Sequence, residues 1–295
     1  MIGYRVTKKQ LESLINKAAP GWLANAAIRT AKFRKIGYYE ETSSNWSKVK
    51  AVYMLLQGDC KCAYCEQKLE STDFGKVAQD VEHFRPKGNV RAWKLSKALK
   101  DEGIKVTNVP SGGGGYYLLP YHPLNYSAAC KPCNSVLKKD YFPIAGKYNL
   151  KGDDPTKLTK ENPLLIYPIG DFDDASENLI SFYGVSPRAV ATKGHKRNRA
   201  LVTIEFFKLD DETKRKNLFL ERASVIVALY PQMEKQIGGA TAREKAIAKK
   251  LVDSFTSPKA KHTNCAMSFK KLFQQNRAEA KDLYEAAADL IASSS

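Results

Sequence analysis

The chain has 295 residues, 43% of them hydrophobic and 27% charged, which is enough for a sizeable core in a globular protein. No stretch approaches the roughly 18 uninterrupted apolar residues of a membrane helix, and the start, Met1-Ile2-Gly3-Tyr4-Arg5, runs into polar residues without a signal-like apolar core. A membrane-spanning helix is thereby excluded, and a cytoplasmic location is expected. The formal net charge of +17 favours polyanionic partners, nucleic acid foremost; the surplus is +6 in residues 1–59, +6 in 60–150 and +5 in 151–295, so no single tail carries it.

In chain order, residues 7–19 place Leu11, Leu14, Ile15 and Ala18 at helical spacing, ended by Pro20-Gly21. Helices are expected at 22–33 and at 46–56, the second closed by Gly58. Val81-Glu82-His83-Phe84 reads as a short strand stopped at Pro86. Residues 87–115 read as an insertion, with a short helix at 91–99 and a flexible glycine tether at 112–115. Residues 162–168 are extended between prolines, 179–184 form a strand, and helices follow at 199–206, 211–230, 240–255 and 266–292. The three regions are an N-terminal helical part (1–59), a cysteine-bearing core (60–150) and a mainly helical C-terminal part (151–295).

Five of the six cysteines fall in two clusters. Cys62-Ala63-Tyr64-Cys65 and Cys130-Lys131-Pro132-Cys133 are two CxxC pairs, each able to present two thiolates from one tight turn, and together they make the four-thiolate shell of structural Zn²⁺. The 64 residues between the pairs exceed the usual gap of about 15–20. Loop closure grows only logarithmically, so the extra length costs under about 2 kcal/mol, against apparent zinc affinities of about 10–16 kcal/mol. Cys60 is an alternative to Cys62, but a CxC spacing suits a knuckle less well. Cys265 reads as an ordinary thiol.

Between the knuckles lies Glu82-His83; Asn134 directly follows Cys133, and Asn125 precedes it by nine residues. These residue types suit phosphodiester hydrolysis. A hard cation such as Mg²⁺ or Mn²⁺ takes oxygen ligands, here the Glu82 carboxylate and the Asn134 amide oxygen, while a neutral His83 takes a proton from the attacking water. The zinc knuckles would hold the two segments together so that Glu82 and Asn134 meet. Arg85, Lys87, Lys138 and Lys139 flank this centre and are candidate phosphate contacts. His122 lies close enough to be a further one. The basic run around His195 reads as a solvated face, with a phosphate patch as the alternative, and Asp171, Asp173 and Asp174 read as a turn.

The pattern Cys62-Ala63-Tyr64-Cys65-Glu66, Val81-Glu82-His83-Phe84-Arg85-Pro86-Lys87, Tyr121-His122-Pro123-Leu124-Asn125 and Cys130-Lys131-Pro132-Cys133-Asn134 with Lys138 resembles the HNH, or ββα-metal, nuclease family. More narrowly it is similar to the nuclease subunits of Septu-type antiphage systems and to retron-associated HNH proteins. Weaker similarity extends outward over roughly residues 46–225, from Trp46-Ser47-Lys48-Val49-Lys50 to Arg222. The resemblance implies an α+β, mostly helical protein with a central ββα-metal core braced by zinc. It assigns Glu82 and Asn134 to the catalytic metal, His83 as general base, and Asn125 as the residue that pins the loop behind His83. Many family members carry aspartate where this chain has Glu82. The resemblance further implies a DNA substrate and an ATPase partner, docked on C-terminal helices with apolar stripes that include Leu218, Val225, Leu229, Leu272, Leu283 and Leu290. No Walker-type loop is present, since residues 112–115 lead into Tyr116-Tyr117 without the required lysine. RNA as substrate, and an inactive zinc module that binds nucleic acid, are the competing readings.

Overall fold

A polar cap fixes where the first helix begins and a glycine where the second stops. The computed structural model describes residues 1–40, 43–74 and 78–294. Helix α1 (Lys8–Ala18) opens on a capping box, with the Thr7 hydroxyl accepting from the Gln10 backbone N–H and the Gln10 side chain accepting from the Thr7 N–H. Helix α2 (Trp22–Ile36) ends at Gly37, which takes the left-handed φ of 80°. The helix expected at 46–56 is split into a 3₁₀ turn, Asn45–Val49, and α3 (Lys50–Leu56). The Trp22 indole N–H donates to the Asn45 carbonyl at 2.9 Å and holds that turn, with its Trp46, against α2.

Strand β1 (Gln79–His83) pairs antiparallel with β2 (Tyr126–Cys130), so that Glu82 faces Ser127 and His83 faces Tyr126. The outer edge of β2 is covered by a side chain: the Gln57 amide accepts from Ala128 N–H at 2.6 Å and donates to Ala128 O at 2.8 Å, as a neighbouring strand would. Residues 84–125 connect the strands in an excursion whose ends meet. Tyr116 N–H donates to Pro86 O at 2.8 Å and Val90 N–H to Gly114 O at 3.1 Å. Gly115 makes this closure possible, because a Cβ there would lie 2.6 Å from the Lys87 backbone. Within the excursion the short helix is α4 (Lys97–Asp101), not 91–99: the Ser96 hydroxyl accepts from Leu99 N–H and sets the start. After β2 the chain enters one π-type helical segment, Pro132–Lys138, which lies across the β1 face carrying Asp80 and Glu82.

A second two-stranded sheet, β3 (Ile180–Tyr183) and β4 (Ser186–Ala189), precedes helices α5 (Gly194–Phe206), α6 (Lys216–Ile237), α7 (Ala242–Phe255), α8 (Thr263–Gln275) and α9 (Arg277–Ala292). The single helix expected at 266–292 is broken at Asn276, whose side chain accepts from Glu279 N–H at 3.2 Å and caps α9. Helices therefore dominate, with two small sheets, and the α+β class holds. One buried apolar cluster runs from Met1 to Phe219 and takes in Cys62, Cys65 and Cys133; a second runs from Ala223 to Ala287, and Phe182, Val185 and Leu290 pack against both. Among the described residues no helix is long and apolar enough to cross a membrane.

Candidate metal centre and hydrolytic site

Each CxxC pair is shaped by backbone hydrogen bonds before any metal is considered. Cys62 N–H donates to Gln67 O at 2.9 Å and Glu66 N–H to Cys62 O at 3.2 Å, with Glu66 at a left-handed φ of 62° closing the turn. Cys130 ends β2, and Cys133 lies in the first turn of Pro132–Lys138. The Sγ atoms of Cys62, Cys65, Cys130 and Cys133 all lie within 4.8 Å of one another, and Cys65 and Cys130 sulfurs are 3.8 Å apart. Zinc with Zn–S bonds of about 2.3 Å requires tetrahedral S–S edges of about 3.8 Å, so the four thiols are compatible with a zinc site. Cys62 belongs to the cluster and Cys60 stands outside it.

The charges point the same way. Burial opposes a Cys62 thiolate, but hydrogen bonds from Cys130, Cys133 and Cys65 outweigh it and hold that thiol well below its ordinary value. Hydrogen bonds with Cys130 and Cys62 push Cys65 and Cys133 well up. Four thiolates cannot share this space without a cation among them. Arg215, which gave no signal in the sequence, supplies part of the charge: Nη1 and Nη2 lie 3.8 and 3.7 Å from Cys133 Sγ, and Nη1 also donates to Phe207 O at 3.2 Å. Burial works against its guanidinium, and the negative charge of the cysteine cluster, Cys133 foremost with Cys65 and Cys130, more than offsets that. Tyr64, between the first two cysteines, stacks on Phe207 with ring centroids 4.0 Å apart.

The knuckles thereby fix the β1–β2 pair and the Pro132–Lys138 segment relative to each other. The fully buried Asn125 side chain spans the mouth of the excursion: Oδ1 accepts from Arg85 N–H at 2.8 Å, and Nδ2 donates to Arg85 O and Leu119 O, each at 3.1 Å. The next carbonyl, Pro120 O, contacts His83 Nε2 at 3.1 Å and also accepts from the Tyr126 hydroxyl. A carbonyl only accepts, so this contact puts the proton on Nε2 and leaves Nδ1 as the acceptor. The half-buried His83 ring lies edge-on between Trp46 and Tyr126, at centroid distances of 4.9 and 5.1 Å. Burial, then the Lys87 charge, lowers its pKa to about 3.

Glu82 is buried, and burial raises its carboxyl to about 7 against the pull of Lys138. Lys138 Nζ sits 3.1 Å from Glu82 Oε1, yet Oε1 has no well-directed hydrogen bond. Asn134 does not meet Glu82 directly, as the sequence suggested; its Nδ2 donates at 3.0 Å to Asp80 Oδ2, which also accepts from Ser135 Oγ at 2.9 Å, while Lys131 holds Oδ1 at 2.6 Å. Asp80 is two residues before Glu82, and alternation along a strand puts both on one face. Sequence reading missed Asp80 because one more acid in a strand carries no signal of its own. A buried carboxylate oxygen that has Lys138 beside it but no well-directed hydrogen bond, and an amide whose nitrogen end is already committed, are donors that suit a hard cation.

The four expected phosphate contacts separate. Arg85 departs from that expectation: it is buried, its Nε donates to Glu161 at 2.8 Å, and its guanidinium packs on the Phe84, Tyr116 and Phe142 rings, so its charge is taken up by a structural ion pair. Lys138 is likewise fully buried and committed to Glu82. Lys139 is exposed at the end of the helical segment, and half-buried Lys87 lies with Nζ 3.7 Å from the centre of the Trp46 ring. His122 caps its own turn by accepting from Leu124 N–H at 3.1 Å. His195 lines a cavity of about 170 Å³ with Phe84, Arg85, Asp173 and Arg199. Arg199 bonds both Asp173 oxygens at 2.6 Å, and Lys196 reaches Asp174 at 2.8 Å, so the acidic segment is a paired turn.

No protein-family model matches the chain. It is similar to a Septu protein PtuB from Bacillus mycoides (strain KBAB4), 36% identical over 119 residues, which are 40% of this chain and 34% of that protein. The match thus spans about a third of the relative's length. No solved structure matches.

Proposed function

We propose that this chain is a metal-dependent HNH-type endonuclease that hydrolyses DNA in antiphage defence. The observation that carries this reading is the placement of His83: its ring is tied by one nitrogen to Pro120 O and keeps the other as an acceptor, one residue from the buried Glu82. Neighbouring Asn134 and the four-cysteine cluster, and the likeness to a Septu protein, support it. Glu82 and the Asn134 amide oxygen would hold Mg²⁺ or Mn²⁺, which when bound supplies Lewis-acid stabilisation of charge on the phosphate. Asp80 orients Asn134 by taking its Nδ2, which leaves Oδ1 for the cation. Asn125 positions His83 through Leu119 and Pro120. His83 takes the proton of the attacking water, and the negative charge of a bound phosphodiester raises its basicity as it does so. Lys138 balances Glu82 while no cation is there, and Lys87 and Lys139 meet the backbone phosphates.

Plasmid and RNA cleavage with Mg²⁺ or Mn²⁺, against chelator, tests the reading. His83→Ala, Glu82→Ala and Asn134→Ala are each expected to slow cleavage by about 10²–10⁴-fold with zinc content unchanged. Full activity of His83→Ala removes the mechanism. Cleavage confined to RNA changes the substrate, and binding without cleavage favours the zinc module.

An ATPase partner belongs to the same proposal and rests on the likeness to Septu-type systems. Leu218, Val225 and Leu229 are buried in the chain's own core, and Leu272, Leu283 and Leu290 pack against it, so those stripes are not the docking surface. The outward face of α7, where Ile247 and Leu251 are 50% and 40% exposed, is the surface to test. Ile247→Asp with Leu251→Asp is expected to abolish co-purification with the ATPase encoded beside this chain; an unchanged complex excludes that surface.

A further inference from the structure

Trp46 has no assigned role, yet it is the nearest large ring to His83. Its edge-on contact with His83 places the two centroids 4.9 Å apart, and Trp46 remains half-buried at the surface. The ring is set rigidly from below. Trp22 fixes the backbone of its turn through Asn45 O, Tyr121 lies 6.0 Å away, Phe33 stacks on Tyr121 at 6.0 Å, and Arg29 caps Tyr121 with its guanidinium carbon 5.4 Å from the ring centre. On one face Lys87 places its ammonium 3.7 Å from the indole centre and 5.1 Å from that of Tyr39. Tyr38, next in sequence, is 58% exposed.

An ammonium over a half-exposed indole gains a factor of about 2–5 from the ring, whereas a nucleobase stacked on an aromatic ring gains a factor of about 5–150. A phosphate gives the same ammonium a stronger partner. One nucleotide supplies both: its phosphate pairs with Lys87, and its base stacks on the indole. Bases inside a duplex are stacked on each other and cannot reach a protein ring without unpairing. From this we propose that Trp46, with Lys87 and Tyr39, is a nucleobase-stacking platform beside His83, and that the preferred substrate is unpaired at the cleavage point, as in a single strand, loop or gap. The choice of strand state rests on the nuclease reading; base stacking on Trp46 does not.

The test uses wild-type protein in chelator-treated buffer that retains its tightly held zinc, so that binding is read without cleavage. A short single-stranded oligonucleotide carrying 5-iodouracil is bound, irradiated and mapped by mass spectrometry, with Trp46 as the expected crosslink. Fluorescence anisotropy of the same oligonucleotide is expected to show about 5- to 150-fold weaker binding for Trp46→Ala, near-recovery for Trp46→Phe, and little change with blunt duplex. A role limited to packing His83 would leave metal-free binding unchanged. Crosslinks elsewhere, with Trp46→Ala binding within twofold of wild type, overturn the platform even where cleavage is robust. A Trp46 crosslink in a protein that cuts nothing keeps the platform and sinks the nuclease reading instead. If Trp46→Ala does not fold, the wild-type crosslink decides alone.

Discussion

Glu82 and His83 adjoin in sequence, and burial drives their protonation in opposite directions, each toward its neutral form. With the Glu82 carboxyl raised to about 7, ionising it costs stability that is lost as pH rises from the ordinary carboxylate range through about 7. A cation needs that carboxylate charged, so at subsaturating Mn²⁺ both binding and cleavage are expected to fall about tenfold per pH unit below about 7. His83, lowered to about 3, stays neutral throughout that window, and the stability of its neutral form is lost only as pH falls from about 6.5 toward 3. Cleavage rates that stay flat from pH 5 to 8 at limiting Mn²⁺ would falsify this assignment of the acid limb to Glu82. The neighbouring Arg85 teaches a different lesson. Flanking position made it look like a phosphate contact, whereas burial makes it a structural ion pair with Glu161. Glu161→Ala is expected to cost about 3–5 kcal/mol in urea unfolding, because it strands a buried guanidinium; a loss under 1 kcal/mol would contradict that. Sequence order reveals which residues have the right chemistry, but the side of a strand or helix that packs inward decides which of them reach solvent.

The two knuckles were legible because metal chemistry imposes a local spacing, and local spacings survive in sequence. The groups that complete them were not, because Arg215 and Asp80 meet the second knuckle's segment from distant parts of the chain, Gln57 reaches across to Ala128, and each is an unremarkable residue type in its own stretch. Helix ends followed the same division. Thr7 and Gly37 mark boundaries by chemistry written beside them, while the break at Asn276 interrupts an apolar pattern that runs on across it. Among these elements the Arg215 contact is open to direct measurement. Arg215→Met removes the positive charge beside Cys133, and zinc transfer to a chromogenic chelator is expected to run severalfold faster at unchanged stoichiometry. Equal rates would mean that the guanidinium does not stabilise the thiolates. Cys60→Ser should retain one zinc per chain and Cys62→Ser should lose it; the reverse pattern would reassign the ligand.

At the scale of the whole chain, the four-cysteine cluster is a junction. Gln67, just past the first knuckle, donates to Glu221 of α6 at 3.1 Å, and His262, preceding α8, contacts the same carboxylate at 2.8 Å. Arg215 at the start of α6 reaches the second knuckle, so the C-terminal helices are tied to both. This junction joins segments far apart in sequence, and a pattern-based reading of one region at a time has no access to it. The closed excursion between β1 and β2 has a consequence of its own. Residues 111–114 are exposed beside its closure, where Val90 N–H donates to Gly114 O and Tyr116 N–H to Pro86 O. A protease site placed between Gly112 and Gly113 would divide the chain so that Cys62 and Cys65 lie on one fragment and Cys130 and Cys133 on the other. The nicked protein is expected to run as a single species in gel filtration and to come apart more readily once a chelator strips it, since the metal would then clasp two separate polypeptides and turn an intramolecular brace into a reversible, zinc-gated assembly.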